Sequence, residues 1–311
     1  MKRFQNRIAE SRYTLPLIIA YAAGVWVLGG IIEQQWYLQF AALMVSTFLM
    51  VELNNTNALL HIYSRMVSAS FLALTCTAVF LFPSLRSSLC MLSFILFCTI
   101  IFHTYQDKES PGLTYFAFLC LGIASLMFIQ VLFFIPFLWL MMRFKLMAFS
   151  WRMLWASLLG IITPYWFLIG WAVYTNRFDA FIDHFVSIAH FEPLFQYQHL
   201  TLNQLIVFGW VAIVALLGIA HYASQSVLDK IRTRMIYHIF MTLDLLIAVF
   251  IILQPQHFDI LLYLMIVCTS PLIAHFAAHT HSRISNIAFN IIIFITLLIT
   301  AVNLWMPLLT Y

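Results

Sequence analysis

The chain has 311 residues, of which 64% are hydrophobic and 8% are charged, and its formal net charge is +4. Soluble domains carry about 25% charged residues, so a soluble fold could not bury this much apolar surface and lipid must cover the outside. The basic residues lie in short loops, so the net charge requires no nucleic-acid partner. The composition therefore predicts one all-α, polytopic transmembrane helix bundle over residues 1–311.

Hydrophobic stretches of bilayer-spanning length follow one another along the chain and predict about eleven spans. The predicted spans cover residues 15–32, 36–53, 66–82, 89–103, a pair within 113–142, 153–174, 204–222, 238–253, 260–277 and 287–305. The first span follows a basic segment and resembles a signal peptide, with a cleavage-like sequence at Ala20-Tyr21-Ala22. Its apolar run continues past that point, which favours a retained first span.

The segment 113–142 decides the predicted topology. It has no charged residue and is too long for one straight span, for which about 20 residues suffice. We predict two short helices with a break near residues 128–130, and one long kinked helix is the alternative. With two helices and the N-terminus inside, thirteen Lys and Arg residues lie inside and two, Arg86 and Arg177, lie outside. This asymmetry follows the positive-inside rule and supports two helices.

The longest loop, residues 175–203, carries the main candidate for chemistry on the outer face. Apolar residues recur in its first half at three- and four-residue spacing, which predicts an amphipathic helix near 177–192. Its polar side includes Asp179, Asp183 and His190, which could do acid–base work on a lipid-linked substrate. Asp183 and His190 are about 10 Å apart along such a helix, so they could at most flank a substrate. The alternative is an interfacial helix with a solvated polar face.

Asp244 lies inside a predicted span, about two turns from its inner end. An ionisable group at this depth is costly and usually faces protein or water. Its function could be contact with an ion, a proton or a substrate. The alternative is a structural hydrogen bond to a neighbouring helix, or an interfacial position that water reaches.

The stretch Glu52–Arg65 (ELNNTNALLHIYSR) is the most polar interruption between two predicted spans and lies on the predicted inner side. Glu52 could pair with Arg65, or the asparagines could satisfy backbone groups where two helices meet. Glu52 and Asn55 are candidate substrate or ion contacts. A polar, ordered inner turn is the structural interpretation.

No cofactor or metal is predicted. The sequence has no Walker loop, no G-x-S-x-G, no H-E-x-x-H and no dinucleotide fingerprint. His275 and His279 are one helical turn apart, a spacing that can ligate zinc, but no third strong ligand is evident. The five cysteines fall within hydrophobic stretches and none forms C-x-x-C, which is typical of packing residues.

The part from Glu52 to Tyr174 resembles an uncharacterised family of multi-spanning inner-membrane proteins of Bacteroidota. The residues that carry the resemblance are ELNNTNALLHIYSRM, a span ending in Phe82-Pro83, GIASLMFIQVLFFIPFLWL at Gly122–Leu140, and SLLGIITPYWFLIGW at Ser157–Trp171. The resemblance implies a bacterial inner (cytoplasmic) membrane protein and implies no particular activity.

The segment Gly122–Met142 also resembles a span pair common in the polyprenyl-phosphate-sugar-dependent glycosyltransferases of the GT-C superfold. That resemblance implies an active site on the outer face and a lipid-linked sugar as substrate. Those enzymes generally place a catalytic acid in a large first outer loop, whereas here the loop is Glu33-Gln34-Gln35. Either Glu33 serves alone, or the acid has moved, or the scaffold is inactive.

These observations lead to two functional hypotheses. The first is a GT-C-like cell-envelope protein that handles a lipid-linked substrate, with Asp179, Asp183, His190 and Glu33 as candidate catalytic residues. The second is a non-enzymatic transporter or an accessory subunit of an envelope complex, which would depend on Asp244 or on the Glu52–Arg65 stretch. The expected partners are membrane lipid, a polyprenyl-phosphate-linked sugar in the first case, and other membrane proteins in the second.

Overall fold

The computed structural model describes residues 3–176, 178–189, 191, 193–198, 200–225, 229–280 and 282–309. Over these residues all the regular secondary structure is helical, as predicted. The α-helices are α1 Phe4–Glu10, α2 Thr14–Leu28, α3 Ile31–Gln34, α4 Tyr37–Asn57, α5 Met66–Thr77, α6 Leu85–Ile101, α7 Pro111–Met127, α8 Ile135–Phe144, α9 Trp151–Tyr174, α10 Phe178–Val186, α11 Leu202–Gln225, α12 Ile231–Leu253, α13 Phe258–His279 and α14 Arg283–Leu309.

Seven helices of the described chain are long and apolar enough to cross a membrane: α4, α6, α9, α11, α12, α13 and α14. The count is eight if α1 and α2, which meet at a 90° bend, form one span. The helices α5 and α7 and the segment Ile129–Phe144 are apolar but shorter. The membrane-embedded helical bundle is therefore confirmed, whereas eleven crossings and an inner N-terminus stay predictions.

The predicted break within 113–142 is present. The helix α7 ends at Met127, and Phe128 adopts an extended conformation with φ −145° and ψ 92°. A 3₁₀ helix, Ile129–Phe134, then leads into α8, which carries Pro136 in its first turn. Proline is well placed there because the first turn of a helix does not use its backbone N–H groups. The backbone N–H of Gln106, before α7, donates to the carbonyl of Leu146, after α8, at 2.8 Å. The two helices therefore run back to the same end, and one long kinked helix, the alternative, is wrong.

The helix α4 continues to Asn57, so the turn that we predicted to begin at Glu52 begins instead at Ala58, where φ is 47°. The polar side chains are compatible with the helix because they bond to its own carbonyl groups. Thr56 Oγ1 donates to the carbonyl of Glu52 at 2.8 Å, and Asn57 Nδ2 donates to that of Leu53 at 3.0 Å. These bonds satisfy polar groups that would otherwise favour a turn.

The helix α13 is buried along almost its whole length and packs against α5, α6, α11 and α12. It therefore joins the two ends of the bundle. We call the end that contains α1 and the last turn of α13 the α1 end. We call the opposite end, which contains α10 and the first turn of α13, the α10 end.

A hydrogen bond at the α10 end connects the break after α7 to the turn after α10. Gln130 Nε2 donates to the carbonyl of Ser187 at 3.2 Å.

The closest helix contact joins α7 and α9 through glycines. A Cβ atom at Gly160 would lie 2.5 Å from the carbonyl oxygen of Tyr115 and 2.9 Å from the amide nitrogen of Leu119. A Cβ atom at Gly122 would lie 2.8 Å from the carbonyl oxygen of Ile161. All three obstacles are backbone atoms, which cannot move aside as a flexible side chain can. Small residues allow such close packing in membranes, where van der Waals contact drives helix association.

We expect Gly160→Ala to lower the free energy of unfolding by about 1–3 kcal/mol, because the added methyl forces α7 and α9 apart. The matched control is Gly170→Ala in the same helix, where a Cβ atom would meet nothing within 4 Å. The control should be neutral or slightly stabilising, since alanine favours helix over glycine. Thermal unfolding of the purified protein in detergent measures both, and equal effects of the two variants would contradict the close contact.

Candidate functional site

A polar cavity of about 550 Å³ lies at the α10 end. Its walls come from the start of α6, the break after α7, the end of α10 and the start of α13. The lining residues are Ser84, Arg86, Ser87, Leu126, Met127, Phe128, Ile129, Gln130, His184, Ser187, Gln256, His257, Asp259 and Ile260. Polar side chains are concentrated here in a chain that is otherwise mostly apolar.

Two helices begin at the rim of the polar cavity. Ser84 caps α6 by accepting a hydrogen bond from the Ser87 backbone N–H at 3.2 Å, and Arg86 is the second residue of that helix. Asp259 is the second residue of α13. Helix N-termini carry partial positive charge, which adds to the cationic side chain of Arg86. Arg86 is exposed and forms no ion pair with another described residue, so the cavity is suited to an anion.

Two histidines of the polar cavity lack hydrogen bonds at one ring nitrogen. The Nε2 atoms of His184 and His257 are buried and have no hydrogen-bond partner among the described residues. Burial lowers the pKa of His184, a hydrogen bond to the Ser125 backbone partly opposes this, and the Arg86 cation adds to the lowering. His184 is therefore neutral near pH 7, and a neutral imidazole can accept or donate a proton at a bound ligand.

Asp259 supplies the carboxylate of the polar cavity. Gln204 Nε2, near the start of α11, donates to Asp259 Oδ1 at 3.2 Å. This bond fixes the carboxylate at the first turn of α13, where the helix dipole stabilises negative charge. A carboxylate, two imidazoles and a guanidinium thus share one cavity, and this set can bind an anion and accept a proton.

The amphipathic helix predicted near 177–192 is present as α10, but it ends at Val186 and is followed by a 3₁₀ turn at Ser187–Ala189. Its position on the outer face stays a prediction. The rings of Phe181 and Phe185 lie 5.1 Å apart, and Phe185 lies 5.0 Å from Tyr165 of α9. These aromatic contacts hold α10 against the bundle.

The candidate acids of α10 do not line the polar cavity. Asp179 and Asp183 are exposed, whereas His184, the next residue along, lines the cavity. Glu33 is exposed on α3 and does not line it either. His190 lies outside the described residues. The geometry does not bring these four residues together into one group. Their catalytic role stays a prediction.

Sequence reasoning missed the polar cavity because its side chains are in separate parts of the chain. From the sequence alone, His257 and Asp259 look like ordinary turn residues after Pro255, and Arg86 looks like a loop residue that sets topology. A usable signal was present in the sequence, since Asp259 lies at the start of a long apolar stretch, shortly after Pro255 and His257. Only the packing of the helices shows that His257 and Asp259 share a cavity with Arg86 and His184.

Asp244 is buried within α12 and accepts a hydrogen bond from Thr269 Oγ1 of α13 at 3.0 Å. It does not line the polar cavity. Of the interpretations given above, the structural hydrogen bond to a neighbouring helix is therefore present. A role in ion or substrate contact stays a prediction.

A second polar group lies at the α1 end and is called here the Asp229 cluster. Its members are Asp229, His61, His221, His275 and His279. His61 Nε2 is hydrogen-bonded to Asp229 Oδ1 at 2.7 Å, and His275 Nε2 lies 3.2 Å from Asp229 Oδ2. The imidazole of His221 approaches that of His275 with 3.5 Å between their Nδ1 atoms. The ring centres of His275 and His279 are 4.5 Å apart. The loop that carries His61, the end of α11 and the end of α13 thereby meet around the carboxylate of Asp229.

Electrostatics favours the ionised form of Asp229. Burial raises its pKa, but the interactions with His275 and His61 outweigh burial, and the net pKa is lowered. The side chain is 2% exposed. Among the described residues no three His, Cys, Asp or Glu side chains form a group that could hold a metal ion. The geometry of the Asp229 cluster is thus that of a hydrogen-bonded carboxylate between imidazoles.

The stretch Glu52–Arg65 contributes to this same end. Asn54 Nδ2 donates to the Ser64 carbonyl at 3.1 Å, and Arg232 donates to Asn57 Oδ1 at 2.9 Å. Asn54 therefore satisfies a backbone group, as one of the two interpretations predicted, whereas Asn57 Oδ1 bonds to the Arg232 side chain of α12.

Of the two candidate contact residues in this stretch, Glu52 is half-buried and Asn55 is exposed. Arg65 donates to Asn55 Oδ1 at 3.3 Å and forms no ion pair with Glu52. A role in substrate or ion contact stays a prediction for both.

Comparisons with known proteins add no family to these observations. No family model, no curated protein and no solved structure matches the chain significantly.

We expect the stability of the α1 end to fall in acid through Asp229. Because the folded-state pKa is lowered, the stabilisation is complete above the ordinary Asp value of about 3.9 and is lost as pH falls through the lower folded value. Asp229→Asn should reduce the melting temperature at pH 7 and remove this acid dependence.

Thermal unfolding over a pH series provides the measurement, with Glu109→Gln, an exposed acid at the same end, as the control. If Asp229→Asn kept the full acid dependence of the wild type, the pairing with histidines would not be its source.

Proposed function

We propose that the protein is a GT-C-like enzyme of the bacterial inner membrane that binds a lipid-linked phosphate, with a sugar as the transferred group, in the polar cavity. The observation that carries the proposal is the convergence of Arg86, His184, His257 and Asp259 on one cavity at the end of a membrane-embedded bundle. A lipid-linked substrate fits this position, since its tail can stay in the bilayer while its head enters the cavity.

The charges of the polar cavity support a phosphate-containing substrate. Arg86 and the two helix N-termini attract an anion, and an arginine can form two parallel hydrogen bonds to phosphate oxygens. The unpartnered Nε2 atoms of His184 and His257 supply further polar contacts. The phosphate would remain with the lipid as the leaving group, and its developing negative charge would be stabilised by Arg86.

Transfer of a sugar breaks the bond between its anomeric carbon and the phosphate oxygen and forms a bond to an acceptor hydroxyl. The acceptor proton needs a base. Asp259 and the neutral His184 are the groups of the polar cavity that can accept it. The roles of Asp179, Asp183, His190 and Glu33 would then lie in substrate access on the exposed side.

The test uses purified full-length protein in vesicles that contain a synthetic polyprenyl-phosphate-linked sugar with a radiolabel, and water or an added alcohol supplies the acceptor hydroxyl. We expect Arg86→Gln and Asp259→Asn each to reduce sugar release about 10- to 100-fold, because a charge-assisted contact contributes about 1.5–3 kcal/mol. Arg152→Gln is the matched control for the arginine, since Arg152 is likewise exposed and the second residue of a helix, but at the α1 end. It should keep the wild-type rate.

Three results would redirect the proposal. Binding of the probe without turnover would make the polar cavity a binding site and the protein non-enzymatic. Loss of activity in Asp183→Asn with full activity in His184→Gln would assign the chemistry to the exposed face of α10. Absence of binding, together with ion-coupled uptake that Asp244→Asn abolishes, would make the protein a transporter.

A further inference from the structure

A second cavity, of about 630 Å³, lies at the α1 end, away from the polar cavity. We call it the apolar cavity. Its walls come from α1, α2, α5 and α14, with small contributions from α11 and α13. Most of its lining is hydrocarbon. Leu17 and Leu297, which line it from α2 and α14, are 70% and 46% exposed, so the cavity opens on the outer surface of the bundle.

The end of the apolar cavity beside α1 is polar and basic. Arg7 of α1, Ser11 and Asn290 of α14 line the cavity there, and Arg7 and Asn290 are exposed. Arg7 is exposed and forms no ion pair with another described residue. An arginine without a counter-ion beside a hydrocarbon cavity is complementary to the anionic head of an amphiphile.

The bend between α1 and α2 creates this arrangement. The two helices meet at 90°, so α1 runs across the end of the bundle while α2 runs along it. The side chain of Gln5 fixes α1 in this position by donating to the carbonyls of Phe276 and Ala277 at 3.2 and 2.9 Å. Arg7 is thereby held at the level where helix ends meet water.

The length of the apolar cavity matches one leaflet. Along α14 it extends from Phe289 to Leu297, which is about 12 Å at 1.5 Å per residue. One leaflet of a bilayer has about 15 Å of hydrocarbon, half of the total thickness. An acyl chain that enters the cavity can therefore lie parallel to α2 and α14 with its headgroup beside Arg7.

We propose that the apolar cavity is a binding site for one anionic phospholipid, with an acyl chain between α2, α5 and α14 and the phosphate on Arg7. This site is separate from the polar cavity and does not depend on the function proposed for it. If the N-terminus is inside, the site faces the leaflet whose anionic surface attracts basic segments.

The test uses purified full-length protein equilibrated with vesicles of phosphatidylcholine doped with phosphatidylglycerol. Native mass spectrometry then counts the lipids retained after transfer to detergent. We expect one phosphatidylglycerol to be retained by the wild type, and Arg7→Gln to weaken its retention about tenfold. Arg12→Gln is the matched control, because Arg12 is an exposed arginine of the same segment that does not line the cavity.

A second variant addresses the hydrocarbon part of the site. Ala73 lines the apolar cavity from α5, and Ala73→Phe should fill it and abolish retention of the lipid. Thermal unfolding checks that this variant is folded, and Arg7→Gln provides an independent result if it is not.

Several outcomes would overturn the proposal. Equal losses in Arg7→Gln and Arg12→Gln would indicate unspecific attraction to a charged surface. Equal retention of phosphatidylcholine would make the occupant a neutral lipid. A dimer in which crosslinks form across the cavity would make it an interface between two copies of the chain.

Discussion

Hydrocarbon offers no hydrogen-bond partner to a polar group, and this constraint acts most strongly on α13, which other helices surround. In its middle, Thr269 donates to Asp244 and Ser270 donates to the carbonyl of Ile266 in its own helix. Its acidic and imidazole side chains lie near the two ends, with Asp259 in the polar cavity and with His275 and His279 in the Asp229 cluster. Both polar sites of the described chain therefore depend on where this one buried helix begins and ends.

The architecture followed from composition to a large extent. A charged fraction of 8% and the recurring apolar stretches were sufficient to predict a membrane-embedded helical bundle, and the absence of charge over 113–142 indicated the break at Phe128. The boundary at Glu52 was wrong because we treated polarity as the end of a helix. In α4 the side chains of Thr56 and Asn57 bond to carbonyls of the same helix, so these polar residues can be part of the helix.

The candidate sites were much less predictable, for a geometric reason. Local periodicity describes residues within one element, whereas these sites join elements that are remote in sequence. His61 and Asp229 are separated by 168 positions, and Gln204 and Asp259 by 55. The acids of α10 were conspicuous because they lie on a regular amphipathic pattern, but the cavity beneath that helix receives His184 instead. The residues next to a single polar side chain at the end of an apolar helix do not reveal which distant residues it contacts.

The contacts of Gln5 have a consequence for biogenesis. Its backbone N–H donates to Asn286 Oδ1 at 3.0 Å, and its side chain bonds to the last turn of α13, more than 270 positions further along the chain. A ribosome makes α1 long before α13, yet α1 can reach its final place only after α13 and the start of α14 have been inserted. The segment α1 therefore docks long after its own synthesis, and only then does it complete its part of the wall of the apolar cavity.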